Sequence, residues 1–341
     1  MTDSLLEGFE RALADLCTDE AVRRTEAGEG AAAQWAGIDA LGYTDALVPA
    51  DLGGAGLSLA EAFPLFLAAG RAGLSHPFAE TAMARAMLAR AGRESRGECI
   101  AIAPALARDD QRIVCRDVPG GALAEFVLVA WRGEWLLLPR DAAQMTPGIY
   151  RPQASATLQW QSADAAGFRF RALEADVRAI CGTAHATGMA GAMRRVLEMS
   201  TQYVNDRQQF GRAISQFQAM QQELSVMAEQ ASSSVFAARI GCAADGYLPD
   251  PLRAATAKLR CCEAASRVAA IAHAVHGAIG ITEELALGLF TRRLHEWRGA
   301  AGSETECATL LGDALFAQDT ASSQVILDFA RTQLAPCAPH A

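Results

Sequence analysis

Hydrophobic positions recur at the helical period in the first third and in the second half of the chain. In the first third, Ala- and Leu-rich runs at 60–74 and 78–91 are separated by breaks at 48–56 and 75–77, where Gly and Pro cluster. From residue 179 onward, the same spacing predicts further helices at about 179–205, 215–246, 251–275, 284–297 and 305–333. Both regions are therefore expected to be helical.

The segment between them has a different pattern. From about Cys99 to Arg178, short β-rich runs alternate with turn signals such as Pro119-Gly120-Gly121. We expect a mostly α protein with a small inserted β domain. The predicted boundaries are an N-terminal helical domain at 1–110, a β domain at 111–174, a C-terminal helical bundle at 175–335 and a tail at 336–341.

The composition narrows the class of protein. Apolar residues make up 51% of the 341 residues and charged residues 20%, which is typical of a globular chain with a large core. The formal net charge of −9 argues against binding to nucleic acid or to an anionic membrane surface. A local group of arginines can still bind an anionic ligand.

Cysteine usage and the N-terminal residues suggest a compartment. Nine cysteines, an odd number without any Cys-x-x-Cys pair, predict neither a disulfide framework nor a zinc site. The first residues lack a basic segment followed by an apolar run, and no uninterrupted apolar stretch reaches the roughly 18 residues of a membrane helix. We expect a cytoplasmic protein.

A polar segment at 206–218 lies between two of the predicted helices. Arg207 carries a planar guanidinium suited to phosphate, Phe210 offers a flat apolar ring, and Gln218 offers both a donor and an acceptor. Together these groups suit a dinucleotide. The alternative is an exposed hairpin whose arginine is only solvated.

The pattern Arg-x-x-Phe-Gly-x-x-Ile-x-x-x-Gln in this segment resembles the signature of the acyl-CoA dehydrogenases. The resemblance implies their fold, with a helical N-terminal domain, a short β domain and a C-terminal four-helix bundle. It also implies FAD as the cofactor. Arg207, Phe210 and Gln218 would then contact the FAD of a neighbouring subunit across an interface.

A second segment, residues 276–283, is similar to the glycine-rich loop of the same family. By this resemblance, His276, Gly277 and Gly280 would lie against the cofactor, since glycines let the backbone approach a pyrophosphate. Two positions depart from the family pattern. Ala274 replaces a flavin-contacting Gln, and Ala278 replaces one of the paired glycines. His276 could instead be held by packing or by a carbonyl.

Two family segments of the β domain have no counterpart here. The Thr-Glu-Pro-x-x-Gly-Ser-Asp and Trp-x-Thr segments, which cover the flavin ring and hydrogen-bond its edge in the family, are both missing from the sequence. Their loss weakens the expectation of a complete flavin site within one subunit.

The catalytic base of the family is also missing. Acyl-CoA dehydrogenation needs a carboxylate to remove the α-proton, and the resemblance places Ala301 at its usual position. Some relatives carry the base earlier, at a position equivalent to Cys181 or Gly182. The base therefore stays unassigned, with Glu304 as the candidate. Other nearby acids are expected to be solvated helix-end charges: Glu283, Glu284, Glu296 and Glu306.

Ser303 keeps the hydroxyl that normally touches the cofactor. Two interpretations are consistent with these residues. The protein is either an FAD-dependent acyl-CoA dehydrogenase whose catalytic base lies at another position, or an incomplete subunit whose partner supplies the base to a shared site. The missing segments and Ala301 favour the second. A third interpretation is a scaffold or CoA-binding subunit without flavin. The Arg207 hairpin argues against it, because a scaffold does not need that arrangement.

The resemblance also implies the partners of the protein. They are an acyl-CoA substrate, an electron-transfer flavoprotein, and either a homodimer or tetramer of this chain or a heterotetramer with a second acyl-CoA dehydrogenase subunit. The substrates of the heteromeric relatives include steroid side chains as CoA thioesters. The acyl group itself is not specified by the sequence.

Overall fold

A computed structural model of the chain describes residues 3–94, 97–107, 112–149, 154–317 and 323–334. Two groups of helices flank a small β region, which confirms the predicted fold class. The helices are α1 (Asp3–Leu16), α2 (Asp19–Glu26), α3 (Ala31–Asp39), α4 (Leu59–Arg71), α5 (Phe78–Arg90), α6 (Val177–Asp206), α7 (Gln218–Gly241), α8 (Pro251–His276), α9 (Leu287–Gly299), α10 (Glu304–Phe316) and α11 (Ser323–Phe329).

The strands form two four-stranded sheets and one short hairpin. They are β1 (Ile100–Pro104), β2 (Leu106–Ala107), β3 (Ile113–Val118), β4 (Phe126–Trp131), β5 (Glu134–Pro139), β6 (Gln144–Pro147), β7 (Ala156–Trp160), β8 (Phe168–Phe170), β9 (Gln208–Gln209) and β10 (Arg212–Ala213). The first sheet has the order β1-β4-β5-β8, with β1 parallel to β4, and the second has the order β2-β3-β7-β6.

The central strands of the first sheet are apolar on both faces. In β4, Leu128 packs into the helical core, whereas its neighbours Val127 and Val129 pack into a second core between the sheets. Successive side chains of a strand point to opposite faces. The continuous apolar runs in β4 and β5 are therefore explained by burial on both sides.

Two predicted boundaries need correction. Strand β1 and the start of the second sheet precede residue 110, so the β region begins near Ile100. Residues 108–111, where that boundary was placed, lie outside the described residues, as does the tail at 336–341. The single helix predicted at 305–333 is also wrong, because α10 ends at Phe316 and a separate helix, α11, begins at Ser323.

Helix α6 is the centre of the C-terminal bundle. It begins at the cap residue Asp176, whose carboxylate accepts hydrogen bonds from the N–H groups of Arg178 and Ala179. Gly188 and Gly191 bring α6 against the backbone of α4, since a Cβ at Gly191 would collide with that backbone. The N-terminal domain and the bundle thus share one core.

One helical stretch, Pro251–Ile281, is long and apolar enough to cross a membrane by length and composition, and 50% of that window is buried inside the protein. Packing of α8 against its neighbours α6 and α7 accounts for its apolar character. Within the described ranges, the cysteines are free and no group of His, Cys, Asp or Glu is arranged to hold a metal ion.

Candidate cofactor groove and degenerate base cavity

The hairpin β9–β10 projects from the end of α6. Its tip is formed by Phe210 and Gly211, which both have positive φ, at 51° and 79°. Positive φ is uncommon for a phenylalanine and is tolerated where the surrounding structure requires it. The turn leaves the Phe210 side chain 91% exposed. A large apolar ring is therefore presented to whatever covers this face.

A groove of about 550 Å³ lies between this hairpin, the start of α7 and the end of α8. Four of the predicted cofactor residues line it: Arg207, Phe210, His276 and Gly277. The structure therefore brings the two sequence motifs together, although about seventy residues separate them. Ala274, which replaces the flavin-contacting Gln of the family, also lines this groove.

The other predicted cofactor residues lie elsewhere. Gln218 is exposed at the first position of α7, where its neighbours Phe217 and Ala219 line the groove. Gly280 is buried beneath the loop, and a Cβ there would lie 2.9 Å from the Cβ of His276. Gly280 thus lets the loop pack closely on His276.

His276 is buried and links the two walls of the groove. Its Nδ1 lies 2.8 Å from the carbonyl of Ala272, and its ring packs against Tyr203 at 4.5 Å between centroids. The Tyr203 hydroxyl donates to the His276 carbonyl at 3.3 Å. A carbonyl and the packing of Tyr203 therefore hold this histidine, and its contact with a cofactor stays a prediction. Burial lowers the pKa of His276, since the charged ring would lose its hydration.

A separate cavity of about 250 Å³ lies between the start of α6, α8 and α10. Ala301 and Gly182, two positions where relatives carry the base, both line it. Cys181, the other early position, is buried and donates to the carbonyl of Ile102. No carboxylate occupies any of the three positions.

The acids at this cavity are Asp176 and Glu306, and each has a structural role. Asp176 caps α6, and Glu306 accepts a hydrogen bond from the backbone N–H of Ser303. That bond lowers the pKa of Glu306, which stabilises its ionised form. Arg178 lies 3.3 Å from Glu306. Glu306 therefore lacks the raised pKa that a general base in this reaction requires.

Lys258 closes the inner end of this cavity, and sequence reasoning missed it. Its Nζ donates to the carbonyl of Trp297 and, at 3.0 Å, to the carbonyl of Ala300, so it ties the end of α9 to α8. Complete burial lowers the pKa of Lys258. The sequence did single out this residue, since Lys258 is the only lysine of the chain.

Ser303 and Glu304 begin α10 on the far side of the same turn. The Ser303 hydroxyl accepts from the backbone N–H of Glu306 in a reciprocal capping box. Glu304 is paired with Arg298 and is not among the residues that line the cavity. The assignment of Glu304 as a base stays a prediction, and its geometry offers no support.

Glu296 was expected to be a solvated charge at a helix end, but the structure buries it. It is 6% exposed on α9, and one of its carboxylate oxygens has no hydrogen-bond partner among the residues that the structure describes. Burial raises its pKa to about 7, although a hydrogen bond from Ser155 and the charge of Arg293 oppose this rise. Sequence reasoning missed this residue because its burial depends on packing between distant parts of the chain.

A third cavity lies where the N-terminal helices, the β region and α6 meet. It measures only about 40 Å³ and is lined in part by Glu80, His185 and Trp297. His185 Nε2 lies 3.3 Å from the Glu80 carboxylate, and both side chains are buried. Pockets for small-molecule ligands usually enclose roughly 300–1,000 Å³. This junction is therefore nearly filled by the protein's own side chains.

The fold, the hairpin and the glycine loop together define a known class of protein. The family model for the acyl-CoA dehydrogenase C-terminal domain matches residues 183–315. Over 264 residues, the chain is 30% identical to acyl-CoA dehydrogenase IpdE2 from Mycobacterium tuberculosis, covering 75% of this chain and 77% of the relative. The chain belongs to the acyl-CoA dehydrogenase family.

Two solved structures have the same fold as this chain over nearly its whole length. The ChsE4-ChsE5 complex from Mycobacterium tuberculosis matches with a TM-score of 0.74 and 19% identity, over 94% of this chain and 99% of the other. The Tcur3481-Tcur3483 steroid acyl-CoA dehydrogenase matches with a TM-score of 0.77 and 21% identity, over 94% and 98%. At these identities, the likeness concerns the fold.

Proposed function

We propose that this protein is one subunit of a two-subunit, FAD-dependent acyl-CoA dehydrogenase. It would contribute the Arg207 groove to an FAD held mainly by a partner subunit of the same family, and the partner would supply the catalytic base. The observation that carries the proposal is the contrast between an intact groove and a cavity beside Ala301 that lacks a base.

The groove suits one part of a dinucleotide. The Arg207 guanidinium can form paired hydrogen bonds to a phosphate. Phe210 adds an exposed aromatic surface for a flat ring, and Gly277, at φ 62°, has no atom within 4 Å of the position of a Cβ. The backbone there leaves room for a ligand to approach. These features fit FAD from the side of a neighbouring subunit.

FAD bound beside this groove would supply the hydride acceptor for the β-carbon of the acyl thioester. This chain would hold the cofactor in place, with Arg207 balancing phosphate charge and Phe210 excluding water from the ring. Removal of the α-proton would fall to the partner, because Ala301 and Gly182 cannot accept a proton. The small cavity at the three-domain junction also offers little room for an acyl chain.

The relatives support a two-protein assembly and a bulky substrate. Both solved structures named above pair two different proteins, and one of them is called a steroid acyl-CoA dehydrogenase. We infer that this chain acts in the same kind of heteromer, on a CoA thioester with a steroid-like or similarly large acyl group. An electron-transfer flavoprotein would reoxidise the flavin.

Purification with and without a partner tests the proposal. The chain would be produced alone and together with a homologous subunit encoded beside it, and each preparation would be examined for flavin absorbance and for dye reduction with acyl-CoA. We expect flavin and activity only in the co-purified complex. Yellow, active protein from this chain alone would contradict the proposal, and a stable complex without flavin would favour a scaffold.

A further inference from the structure

His276 lies in the wall between two open grooves. One is the groove beside the hairpin described above, and the other, of about 590 Å³, runs along the outer face of α6. Tyr203 and Arg207 line both grooves together with His276. A ligand that reaches Arg207 from either side therefore comes close to the imidazole ring.

The hydrogen bond to Ala272 determines which nitrogen of His276 carries a proton. A carbonyl oxygen can only accept, so Nδ1 at 2.8 Å must be the donor. In the neutral ring, Nε2 then carries a lone pair. Nε2 is buried and has no hydrogen-bond partner among the described residues. The described part of the chain therefore fixes the position of the acceptor Nε2 and provides no donor for it.

The surroundings do not favour a second proton on this ring. His273, on the same helix, lowers the pKa of His276 further, beyond the effect of burial. The two acids of the outer groove are engaged elsewhere, because Glu198 lies 2.8 Å from Arg71 and Asp206 accepts from Gln202 at 2.7 Å. The remaining charged groups of that groove are Arg195 and Arg207, which would repel a positively charged imidazole.

We propose that His276 recognises a hydrogen-bond donor on the bound nucleotide, an N–H or O–H group of its base or sugar, and does not bind its phosphate. A lone pair on Nε2 would repel a phosphate oxygen and attract such a donor. Arg207 and His276 would then divide the recognition of the nucleotide between its phosphate and its nucleoside. This inference rests on the proposed function.

The buried position of Nε2 implies a small movement on binding. The Tyr203 ring packs on the imidazole, and the Tyr203 hydroxyl is anchored on the His276 carbonyl. A modest rotation of these two side chains would let the donor reach Nε2. An unsatisfied buried acceptor costs roughly 1–3 kcal/mol, so a donor supplied by the ligand would strengthen binding.

ADP-ribose is a suitable probe, because its pyrophosphate diester does not titrate near neutral pH. It would be titrated calorimetrically into the co-purified complex with the partner subunit, freed of its flavin, between about pH 5.5 and 8. We expect the affinity to fall as the pH falls, since protonation turns Nε2 from an acceptor into a donor. His276→Phe keeps an aromatic ring beside Tyr203, and it should weaken binding about five- to tenfold at pH 8 and abolish the pH dependence.

Further probes identify the donor. Loss of the 2′-hydroxyl, in the 2′-deoxy analogue, or of the adenine amine, in the purine-riboside analogue with hydrogen in its place, removes one donor at a time. The analogue that lacks the true donor should bind the wild type and His276→Phe equally well. Arg207→Ala should weaken binding at every pH and leave the pH dependence intact.

Three outcomes have distinct meanings. Affinity that rises as the pH falls, and that loses this rise in His276→Phe, would show a phosphate contact and overturn the inference. Equal binding by the wild type and His276→Phe at every pH would show that the histidine is only structural, which also overturns it. Absence of any ADP-ribose binding to the wild type would instead contradict the proposed function itself.

Discussion

The groove beside Arg207 and the cavity beside Ala301 belong to the same helical bundle, but their polar groups are used in opposite ways. In the groove, Phe210 is exposed and His276 Nε2 has no hydrogen-bond partner in the described part of the chain. In the cavity, Lys258, Asp176 and Glu306 all have their hydrogen bonds satisfied within the chain. Polar groups that already hydrogen-bond within the chain are not free to bind a ligand.

On the proposed function, this contrast would explain how one subunit can lack the catalytic base and still contact the cofactor. The cavity is held together by helix caps and by the Lys258 bridge, so it contributes to stability. The groove presents the exposed Phe210 ring, and exposed apolar surface of this kind often marks a binding site. Four substitutions would separate the two roles.

Lys258→Met should have the largest effect. It removes the Lys258 donor from the carbonyls of Trp297 and Ala300, and the Trp297 carbonyl then keeps only the Ala300 N–H at 3.4 Å. We expect a loss of about 2–6 kcal/mol in the free energy of unfolding, at 1–3 kcal/mol for each carbonyl that loses this donor. Denaturant unfolding measures it, with Arg239→Ala on the exposed face of α7 as the control. An unchanged midpoint would refute the role of the bridge.

Arg207→Ala tests the groove. Removing a charge-assisted phosphate contact should cost roughly 1.5–3 kcal/mol of cofactor affinity while the fold is preserved. Flavin retained by the purified complex after gel filtration is the measurement. Arg239→Ala is again the matched control, and it should retain flavin like the wild type. If Arg207→Ala retains as much flavin as the control, the groove does not bind the cofactor.

Glu296→Gln tests whether the buried acid on α9 acts as a base or only affects stability. Its pKa is raised from 4.5 to about 7, so ionisation is opposed in the folded state. The carboxyl is protonated in both states below about pH 4.5, and the wild type should lose stability as the pH rises through 7.

The variant should therefore match the wild type near pH 4.5 and be more stable at pH 8, by about 2 kcal/mol at roughly 1.4 kcal/mol for each pKa unit, discounted for relaxation. Thermal unfolding at the two pH values checks this, with the exposed Glu284→Gln as the control. Dehydrogenase activity of the complex should be unchanged. Loss of activity in Glu296→Gln would instead show that Glu296 acts as the catalytic base, outside both the groove and the cavity.

Ser303→Ala should have the smallest effect. The hydroxyl caps α10, and loss of such a cap costs about 1 kcal/mol. We expect this loss of stability without loss of flavin, and Ser303→Thr should restore stability. Reduced flavin in Ser303→Ala at unchanged stability would show that the hydroxyl contacts the cofactor, as the family resemblance implies.

Local signals in the sequence were sufficient for much of the fold. The helical period predicted α6 and α8 to within a few residues, and the Gly-containing polar segment predicted the hairpin at Phe210. These features depend on neighbouring residues in the chain. The family resemblance assigned Arg207 and His276 to the same cofactor, and the structure brings both residues into one groove.

Features that depend on distant contacts could not be predicted in this way. The burial of Glu296 requires α9 to pack near Ser155 of the β region, and the bridge from Lys258 joins α8 to the end of α9. In both cases, tertiary packing determines the outcome and local pattern does not. The break between α10 and α11 was missed for another reason, since neither Gly nor Pro marks it and the polar run at 318–324 was overlooked.

The burial of the single lysine also gives the protein a built-in chemical reporter. Amine-reactive reagents find no exposed lysine in the folded chain, since the Lys258 side chain is covered and its Nζ is bound to two carbonyls. Labelling at this residue would require the turn at Ala300 to open. The rate of its modification therefore measures how often the end of α9 separates from α8, in the intact protein and without any mutation.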